Sequence, residues 1–473
     1  MVYDNPDGVM IGLEIHVQLN KLNTKIFCGC STKYHEAGPN THVCPVCLGL
    51  PGALPVINEK AVESAMKIGL ALNCEIVHQT QFHRKNYYYP DLPKGFQTTQ
   101  YDYPIAGEGR VVIEGEDGEH VVRITRAHME EDPGRLVHIG TIEKSRGTLI
   151  DYNRSGMALI EVVTEPDMRS PKEARRFLDK LRNILEYLDV FDSSLEGAMR
   201  VDANISIGGG SRAEVKNISS HKGAERALLF EIIRQKNLLR RGGTVVLETR
   251  HFDEARGVTI SLRTKEEEHD YRYFPEPDLV PMRVADRTAR ILGTLPELPD
   301  AKRERFIAEY GMIDMHAKAL TSGIRIADFY EDVASRIDAK TCTPWVADVL
   351  KGELNYRDLT IESFTVDDIV GIIEMVVSDK ITEKSAVEVI RTILDSGGHP
   401  LDIVKEKGLL KVEDDVVSRA VLKVINENEV AVADYLGGKE QSLNFLVGQV
   451  MKKTRGRADA REAREMVLES LNQ

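Results

Sequence analysis

Several short segments of this sequence alternate apolar and polar residues, and their polar side chains are of types that bind metal ions and phosphate. In residues 12–19, apolar positions alternate with Glu14, His16 and Gln18. Successive side chains of a β-strand point to opposite faces, so these three predict one polar face. Segments of the same kind at 158–165, 199–206 and 213–217 add Glu161, Glu165, Arg200, Asp202, Asn204, Glu214 and Lys216.

Each of these strands taken alone also fits an antiparallel sheet with one solvent-facing side. Taken together, they supply carboxylates, a histidine, an arginine and a lysine to what can be one surface. Hard divalent cations prefer carboxylate oxygen, and phosphoryl transfer needs cations around developing negative charge. The set therefore predicts Mg²⁺ and phosphate chemistry rather than catalysis by a single nucleophile.

Residues 128–132 place three consecutive acidic residues beside His128. One interpretation is a charged turn before Pro133 and Gly134, because such residues favour turns. The other is a metal ligand from Glu131 or its neighbour.

Two segments mix cations with aromatic residues, at 84–96 and at 270–278. Such a mixture can stack a base and hold phosphates, or it can form an aromatic structural loop. The sequence contains no P-loop and no dinucleotide-binding fingerprint in a strand-to-helix context, so any ATP site is not of the Walker type. It also lacks a Gly-x-Ser-x-Gly elbow, which argues against a serine hydrolase.

Four of the six cysteines fall in two short pairs, Cys28 with Cys30 and Cys44 with Cys47. Four thiolates complete a tetrahedral Zn²⁺ shell and leave no open position, so we predict a structural zinc site. Cys74 and Cys342 have no partner motif and are expected to be buried as small apolar residues.

Helix signals show how these segments are connected. Asn58, Ser170 and Ser220 each precede a run of apolar residues at helical spacing, and Ser170 is followed by a proline and a capping-box glutamate. Beyond about residue 295 the pattern is helical, with a predicted hinge at 396–400 and helices at 442–451 and 460–471. The sequence thus predicts an α+β fold: a mostly antiparallel-sheet cradle domain (1–294), an all-helical domain (295–405) and a small helical tail domain (406–473).

Composition limits the possible functions. The chain has 473 residues, 42% hydrophobic and 29% charged, with a net charge of −13. This acidic balance excludes a protein that coats nucleic acid non-specifically, although a local basic site is compatible with it. The sequence contains no run of about 18 apolar residues and its first residues do not resemble a secretory signal, so we expect no membrane association and a cytoplasmic location.

Longer motifs resemble a known family, the B subunit of the tRNA-dependent amidotransferases. The matching stretches run through nearly the whole chain: GLEIHVQL, CPVCLGLPGALPVIN, RKNYYYPDLPKGFQ, HMEEDPG, EVVTEPDMRSPKEA, MRVDANIS, EVKNISS, YRYFPEPDLVP and FLVGQVMKKTRG. A longer archaeal paralogue, the E subunit, shares these motifs but carries an inserted domain for which this chain has no room.

The resemblance implies a subunit of a glutamine-dependent enzyme that converts misacylated Asp-tRNA(Asn) or Glu-tRNA(Gln) to the amidated form. ATP and Mg²⁺ serve to phosphorylate the side-chain carboxylate, and ammonia from an amidase A subunit then displaces phosphate; a small C subunit completes the heterotrimer. The implied Mg²⁺ ligands, also assigned to catalysis, are Glu14, His16 and Glu131. Lys85 (catalysis), Tyr87, Tyr89 and Lys94 are implied to line the kinase pocket or the adjoining ammonia path, and Arg200, Asp202, Glu214 and Lys216 are implied to face the same cavity.

The tail domain is implied to contact tRNA, and residues 452–457 are its most basic segment, although charge runs are often only solvated. The alternative function is a non-catalytic, zinc-containing tRNA-binding module whose acidic face serves only solubility. The sequence leaves the choice between the two misacylated tRNAs open.

Overall fold

The computed structural model describes residues 8–139, 147–195, 197–264, 271–412, 414–454 and 456–471. The chain divides into two compact units, Met1–Leu298 and Pro299–Gln473. The first combines a large sheet with helices and the second is helical, which confirms the predicted α+β class. No helix among the described residues is both long and apolar enough to cross a membrane.

The first unit contains the strands. They are β1 (Met10–Gln18), β2 (Gln79–Thr80), β3 (His83–Asn86), β4 (Phe96–Thr99), β5 (Gly109–Glu114), β6 (Glu119–Glu131), β7 (Arg135–His138), β8 (Thr148–Asp151), β9 (Ala158–Thr164), β10 (Met199–Ser206), β11 (Ala213–Ile218), β12 (Glu248–Asp253), β13 (Val258–Thr264), β14 (Phe274–Pro275) and β15 (Met282–Arg283).

Eleven of these strands form one sheet within the described part of the chain. Their order is β13-β12-β11-β10-β1-β9-β6-β4-β3-β14, with β5 paired to β6. The pairing is antiparallel throughout except between β11 and β12, so the mostly antiparallel prediction is confirmed. The central strand β1 lies between β9 and β10, which places its polar residues in the middle of the sheet.

Helices α1 (Glu59–Ala71), α2 (Pro171–Tyr187), α3 (His221–Arg240) and α4 (Thr288–Leu292) belong to the first unit. The predicted N-caps are all present, because the side chains of Asn58, Ser170 and Ser220 each accept a hydrogen bond from a first-turn backbone N–H. Glu173 departs from the simple capping box, since its carboxylate accepts from the backbone N–H of Arg169 at 2.7 Å rather than from the cap.

The core of this unit lies on one side of the central strands. Ile11, Ile15 and Val17 of β1 are completely buried, and Phe177 and Leu181 of α2 belong to the same core. Burial of a large aliphatic side chain contributes about 1.5–3 kcal/mol, so the alternation of β1 is firmly fixed. With the odd-numbered residues in the core, Glu14, His16 and Gln18 must project from the other face.

The second unit consists of helices α5 (Pro299–Tyr310), α6 (Asp314–Leu320), α7 (Ile324–Ala334), α8 (Ala339–Pro344), α9 (Lys351–Arg357), α10 (Val366–Val377), α11 (Glu383–Ser396), α12 (Pro400–Glu406), α13 (Asp414–Glu427), α14 (Glu429–Leu436), α15 (Gln441–Lys453) and α16 (Ala460–Leu471). A π-helical segment, Trp345–Leu350, joins α8 to α9. A separate apolar core includes Val421, Leu446 and Val467 from α13, α15 and α16. The division into three domains, with its boundary at 405, stays a prediction.

Candidate active site on the polar face of the sheet

Strand register brings polar residues of the central strands β1, β9 and β10 together on one face. Glu14 and His16 of β1 lie opposite Asp202 and Arg200 of β10. On the other side of β1, His16 lies opposite Glu161 of β9. Side chains directly opposite one another in a sheet share a face, with Cβ atoms about 5 Å apart. The polar strands predicted from sequence therefore form a single surface.

A histidine and two glutamates meet at the centre of this surface. Nδ1 of His16 donates to Oε1 of Glu130 at 3.0 Å and lies 3.8 Å from Oε2 of Glu161. One ligand atom of each residue lies within 4.8 Å of the other two, a spacing that suits a shared metal ion. Burial lowers the pKa of His16, but the hydrogen bond to Glu130 and the charge of Glu161 outweigh it and raise that pKa to about 9.

Glu161 is held as a carboxylate. Burial alone would raise its pKa, but the nearby His128 and His16 keep the pKa of Glu161 well below its usual range. Nε2 of His128 lies 3.3 Å from Oε2 of Glu161. Carboxylates held ionised at this spacing can bind a divalent cation, and His16 can join them as a ligand when the cation displaces its proton.

A second group of acids surrounds Lys216 at the adjacent strands. Ligand oxygens of Glu14, Asp202 and Glu214 lie within 4.8 Å of one another. Nζ of Lys216 contacts Asp202 at 2.5 Å and Glu214 at 2.9 Å. Burial raises the pKa of Glu14, and the charge of Glu161 raises it further. A lysine thus neutralises part of the charge of this group.

Arg200 is fixed by a buried acid. Its Nη2 donates to Oδ1 of Asp132 at 2.6 Å, and Oδ2 of Asp132 accepts from Nε2 of Gln18 at 2.6 Å. The side chain of Asp132 has no exposed surface. Asp132 thus holds Arg200 over the polar face.

Glu131 lies apart from Glu14 and His16. Residues 128–131 are the end of strand β6, so the interpretation of this segment as a turn is wrong. His128 and Glu130 share the polar face, while Glu131 follows Met129 to the other side. There Oε1 of Glu131 accepts from Nζ of Lys94 and, at 2.8 Å, from the backbone N–H of Thr98.

Lys94 and Glu131 line a cavity of about 170 Å³ on that opposite side. Its wall also includes Arg84, which is paired with Glu276 at 2.6 Å. Cys28 and Cys47 form another part of the wall. The cavity thus joins the predicted zinc loop to the end of β6.

Lys85 and the tyrosines lie at the β3 side of the sheet. Lys85 is opposite Gln97 of β4, and its Nζ lies 4.9 Å from the ring centre of Tyr271. The Tyr87 hydroxyl donates to Oε1 of Gln97 at 3.4 Å. Tyr89 is 57% exposed and is not brought to the other predicted residues.

The four clustered cysteines fit a closed metal site. One sulfur from each of Cys28, Cys30, Cys44 and Cys47 lies within 4.8 Å of the other three. Four sulfurs at such spacing match a tetrahedral zinc shell, so the donor set fits the predicted ion. Cys74 and Cys342 are buried as expected, and none of the six cysteines forms a disulfide.

The basic segment of the tail is only partly available. Lys452 is exposed at the end of α15, whereas Nζ of Lys453 lies 2.7 Å from Glu427. Arg457 donates to the backbone carbonyl of Gly408 at 3.2 Å. Arg455 lies outside the described residues.

Sequence reasoning missed Glu130 and Asp132 as individual site residues. The signal was present in the spacing, because residues at 128, 130 and 132 alternate with Met129 and Glu131. The sequence alone does not show that β6 extends to Glu131, and the adjacent Pro133 and Gly134 favour a turn instead.

Comparisons with known proteins identify the family of this chain. The family model described as the GatB/GatE catalytic domain matches residues 9–290, and the GatB domain model matches residues 328–471. The sheet unit with its polar face is therefore a GatB/GatE catalytic domain, since the first of these models covers more than half of the chain.

Relatives named as the B subunit of aspartyl/glutamyl-tRNA(Asn/Gln) amidotransferase match along the whole chain. The one from Methanococcoides burtonii is 77% identical and that from Methanosarcina mazei 68%, each over 100% of both chains. The relative from Haloarcula marismortui is 51% identical over 98% of this chain and 97% of its own. The chain belongs to this family of amidotransferase B subunits, as the sequence motifs predicted.

Proposed function

We propose that this chain is the subunit of a glutamine-dependent amidotransferase that activates and amidates the amino acid on misacylated tRNA. The relatives are named for Asp/Glu-tRNA(Asn/Gln). The observation that carries the proposal is the polar face, where His16, Glu130 and Glu161 meet beside the acids around Lys216.

The reaction needs two steps at one carboxylate. A side-chain carboxylate oxygen of the aminoacyl-tRNA attacks the γ-phosphorus of ATP, ADP leaves, and an acyl phosphate forms. Ammonia then attacks the acyl carbon and phosphate leaves, which gives the amide. Cations around the phosphoryl group stabilise its transfer, and Lys85, Arg200 and Lys216 are cations of this face that can do so.

We propose that Mg²⁺ is held by His16, Glu130 and Glu161. Mg²⁺ neutralises phosphate charge and orients ATP when bound. The implied ligands Glu14 and Glu131 take other roles in this proposal: Glu14 lies with Asp202 and Glu214 on the same face, and Glu131 faces the cavity. Asp132 positions Arg200, and Asp202 and Glu214 position Lys216.

We propose that the cavity lined by Lys94 and Glu131 is part of the ammonia path. Two features support this: the cavity reaches Glu131 of β6, the strand that also carries Glu130 of the polar face, and the Lys94–Glu131 ion pair in its wall is largely buried. A path that keeps ammonia from water prevents its protonation and loss. Tyr87, whose hydroxyl contacts Gln97 of β4, is proposed to line the polar face at its β3 side, and the role of the exposed Tyr89 stays a prediction.

We propose that Zn²⁺ is bound by the four clustered cysteines and is structural. A complete thiolate shell has no place for substrate. The backbone carbonyl of Cys47 accepts from the Ser155 hydroxyl at 3.1 Å, so the loop is fastened to the segment before β9. Zinc in this view fixes one wall of the cavity.

The amidase A subunit and the small C subunit are the proposed partners, since glutamine hydrolysis must be supplied from another chain. The tail is proposed to contact the tRNA, and Lys452 is an exposed cation within its basic segment. The three domains 1–294, 295–405 and 406–473 and a cytoplasmic location stay predictions.

The alternative of a non-catalytic zinc-containing tRNA-binding module is not favoured. Buried acids such as Glu130 and Asp132 cost free energy that a face serving only solubility has no reason to retain. ATP consumption by the complex with its A and C partners distinguishes the two. Consumption that requires misacylated tRNA supports the enzyme, and its absence supports the binding module.

A further inference from the structure

A lysine is completely buried beside the four cysteines. Lys25 has 0% exposed surface. Its Nζ donates to the backbone carbonyl of His42 at 2.8 Å and lies 3.7 Å from Sγ of Cys47. Its backbone N–H donates to the carbonyl of Cys30 at 3.0 Å, so the residue touches both halves of the cysteine cluster.

This ammonium group has no carboxylate to balance its charge. Among the described residues, no Asp or Glu oxygen lies within 4.0 Å of its Nζ; its acceptors are one carbonyl and one sulfur. An isolated buried ammonium is strongly unfavourable, and buried charges in proteins are normally paired. The other lysine buried to a similar degree among the described residues, Lys302, is paired in this way: its Nζ lies 2.7 Å from Glu331 and 3.0 Å from Asp328.

A four-thiolate shell filled with Zn²⁺ supplies the negative charge that Lys25 lacks. Four thiolates carry four negative charges and Zn²⁺ carries two positive ones, so the filled site has a net charge of −2. A cation within 4 Å of one ligand sulfur offsets half of it. We propose that Lys25 is a built-in counter-ion of the zinc site, a positioning residue that stabilises the metal-loaded loop. This inference rests on the proposed zinc site.

The ordinary alternative is a structural hydrogen bond from Lys25 to His42. That bond is the same whether or not metal is bound, so a structural role predicts equal effects on the metal-free and metal-loaded protein. A counter-ion predicts unequal effects, because the full charge of four thiolates, and with it the net charge of −2, is present only when the site is filled.

The first test measures zinc affinity of the purified full-length chain by competition with a chromophoric chelator. Lys25→Met keeps the length of the side chain and removes its charge. We expect it to weaken Zn²⁺ binding about 10- to 100-fold, the usual effect of losing an outer-shell partner. Lys33→Met, at an exposed position of the same loop, is the control and should bind zinc as the wild type does.

The second test compares thermal stability with and without Zn²⁺. Without metal, we expect Lys25→Met to melt at the same temperature as the wild type or higher, because a buried unpaired charge is gone. With Zn²⁺, the variant should melt lower. Co²⁺ loaded in place of Zn²⁺ should give a tetrahedral thiolate spectrum in both proteins.

Two results overturn the counter-ion. One is a zinc affinity of Lys25→Met within twofold of the wild type. The other is a loss of melting temperature that is equal with and without metal, which would assign Lys25 to ordinary hydrogen bonding. If the wild-type chain binds no Zn²⁺, the proposed zinc site is wrong, and the role of Lys25 as its counter-ion is wrong as well. Metal analysis of the wild-type protein alone identifies this failure.

Discussion

Nδ1 of His16 and Oε1 of Glu130 lie 3.0 Å apart although 114 residues separate them in the chain. Their strands, β1 and β6, are not neighbours, because β9 runs between them. Glu161 of β9 lies opposite both His16 and His128, so three strands contribute to one group. The group exists only because the apolar faces of these strands are buried in register on the other side.

Glu130 and Glu161 are predicted to be essential for amide formation. Glu130→Gln or Glu161→Gln removes a negative ligand of the proposed Mg²⁺ site, and we expect transamidation to fall about 100-fold or more. Glutamine hydrolysis by the partner amidase should persist. The assay follows amidated tRNA and glutamate in the purified complex.

Glu119→Gln is the matched control, because Glu119 is an exposed residue of the same strand β6. It should leave transamidation unchanged. Full activity in Glu130→Gln would show that the group around His16 is not used.

Glu131 is predicted to affect the delivery of ammonia from glutamine more than the reaction of ammonia with the activated carboxylate. Glu131→Gln breaks the ion pair with Lys94 that lines the cavity. We expect transamidation with glutamine to fall at least about tenfold, while the rate with saturating ammonium chloride falls much less. Both rates are measured on the same preparation of complex.

Glu130→Gln is the comparison variant, since its rates with glutamine and with ammonium chloride should fall by the same factor. An equal loss of the two rates in Glu131→Gln would instead place Glu131 in the chemical step and remove the cavity from the ammonia path.

Removal of zinc is predicted to destabilise the first unit without a direct effect on the amide-forming reaction. The wild-type chain should contain about one Zn²⁺ per four clustered cysteines, and Cys47→Ser should lose most of it. Melting temperature should fall in Cys47→Ser and in chelator-treated wild type. Cys342→Ser, a buried cysteine of the second unit, should keep its zinc; a fully stable protein without zinc would contradict the structural role.

The second unit should show a pH dependence that originates at Lys351. Burial lowers the pKa of Lys351 from 10.5 to about 8, and its Nζ donates to the carbonyl of Ala319 and, at 2.8 Å, to the Ser322 hydroxyl. Between about pH 8 and pH 10.5 the unfolded chain then holds more protons at this lysine than the folded chain. The free energy of unfolding should rise with pH through this window, and the rise should be absent in Lys351→Met.

Urea unfolding of the full-length protein at several pH values measures this difference. Lys340→Met, an exposed lysine of α8, is the control and should follow the wild type. A constant difference between wild type and Lys351→Met from pH 8 to 10.5 would show that Lys351 is not held in its neutral form.

Much of the local structure could be predicted because local chemistry determines it. Asn58, Ser170 and Ser220 cap helices that begin where the sequence indicates, since an N-cap needs only its own first turn. The polar face of β1 was equally predictable, because alternation alone assigns Glu14 and His16 to one side.

The rest depends on the extent and pairing of strands. Pro133 and Gly134 favoured a turn at 128–132, but pairing with β9 extends β6 to Glu131 and reverses the roles of Glu130 and Glu131. The ion pair between Lys94 and Glu131 joins the segment before β4 to the end of β6. No local sequence pattern reveals this contact, so the cavity that the pair lines could not be predicted.

In the proposed function, this chain activates a tRNA-linked carboxylate with ATP on the face around His16. The most direct measurement counts ADP and amidated tRNA in one reaction of the complex with Asp-tRNA(Asn) and, separately, Glu-tRNA(Gln). We predict one ADP for each amide formed with at least one of these substrates, and no ADP above background with Glu130→Gln. Amide formation without ADP, or the same ADP release with correctly charged and misacylated tRNA, would contradict the claim.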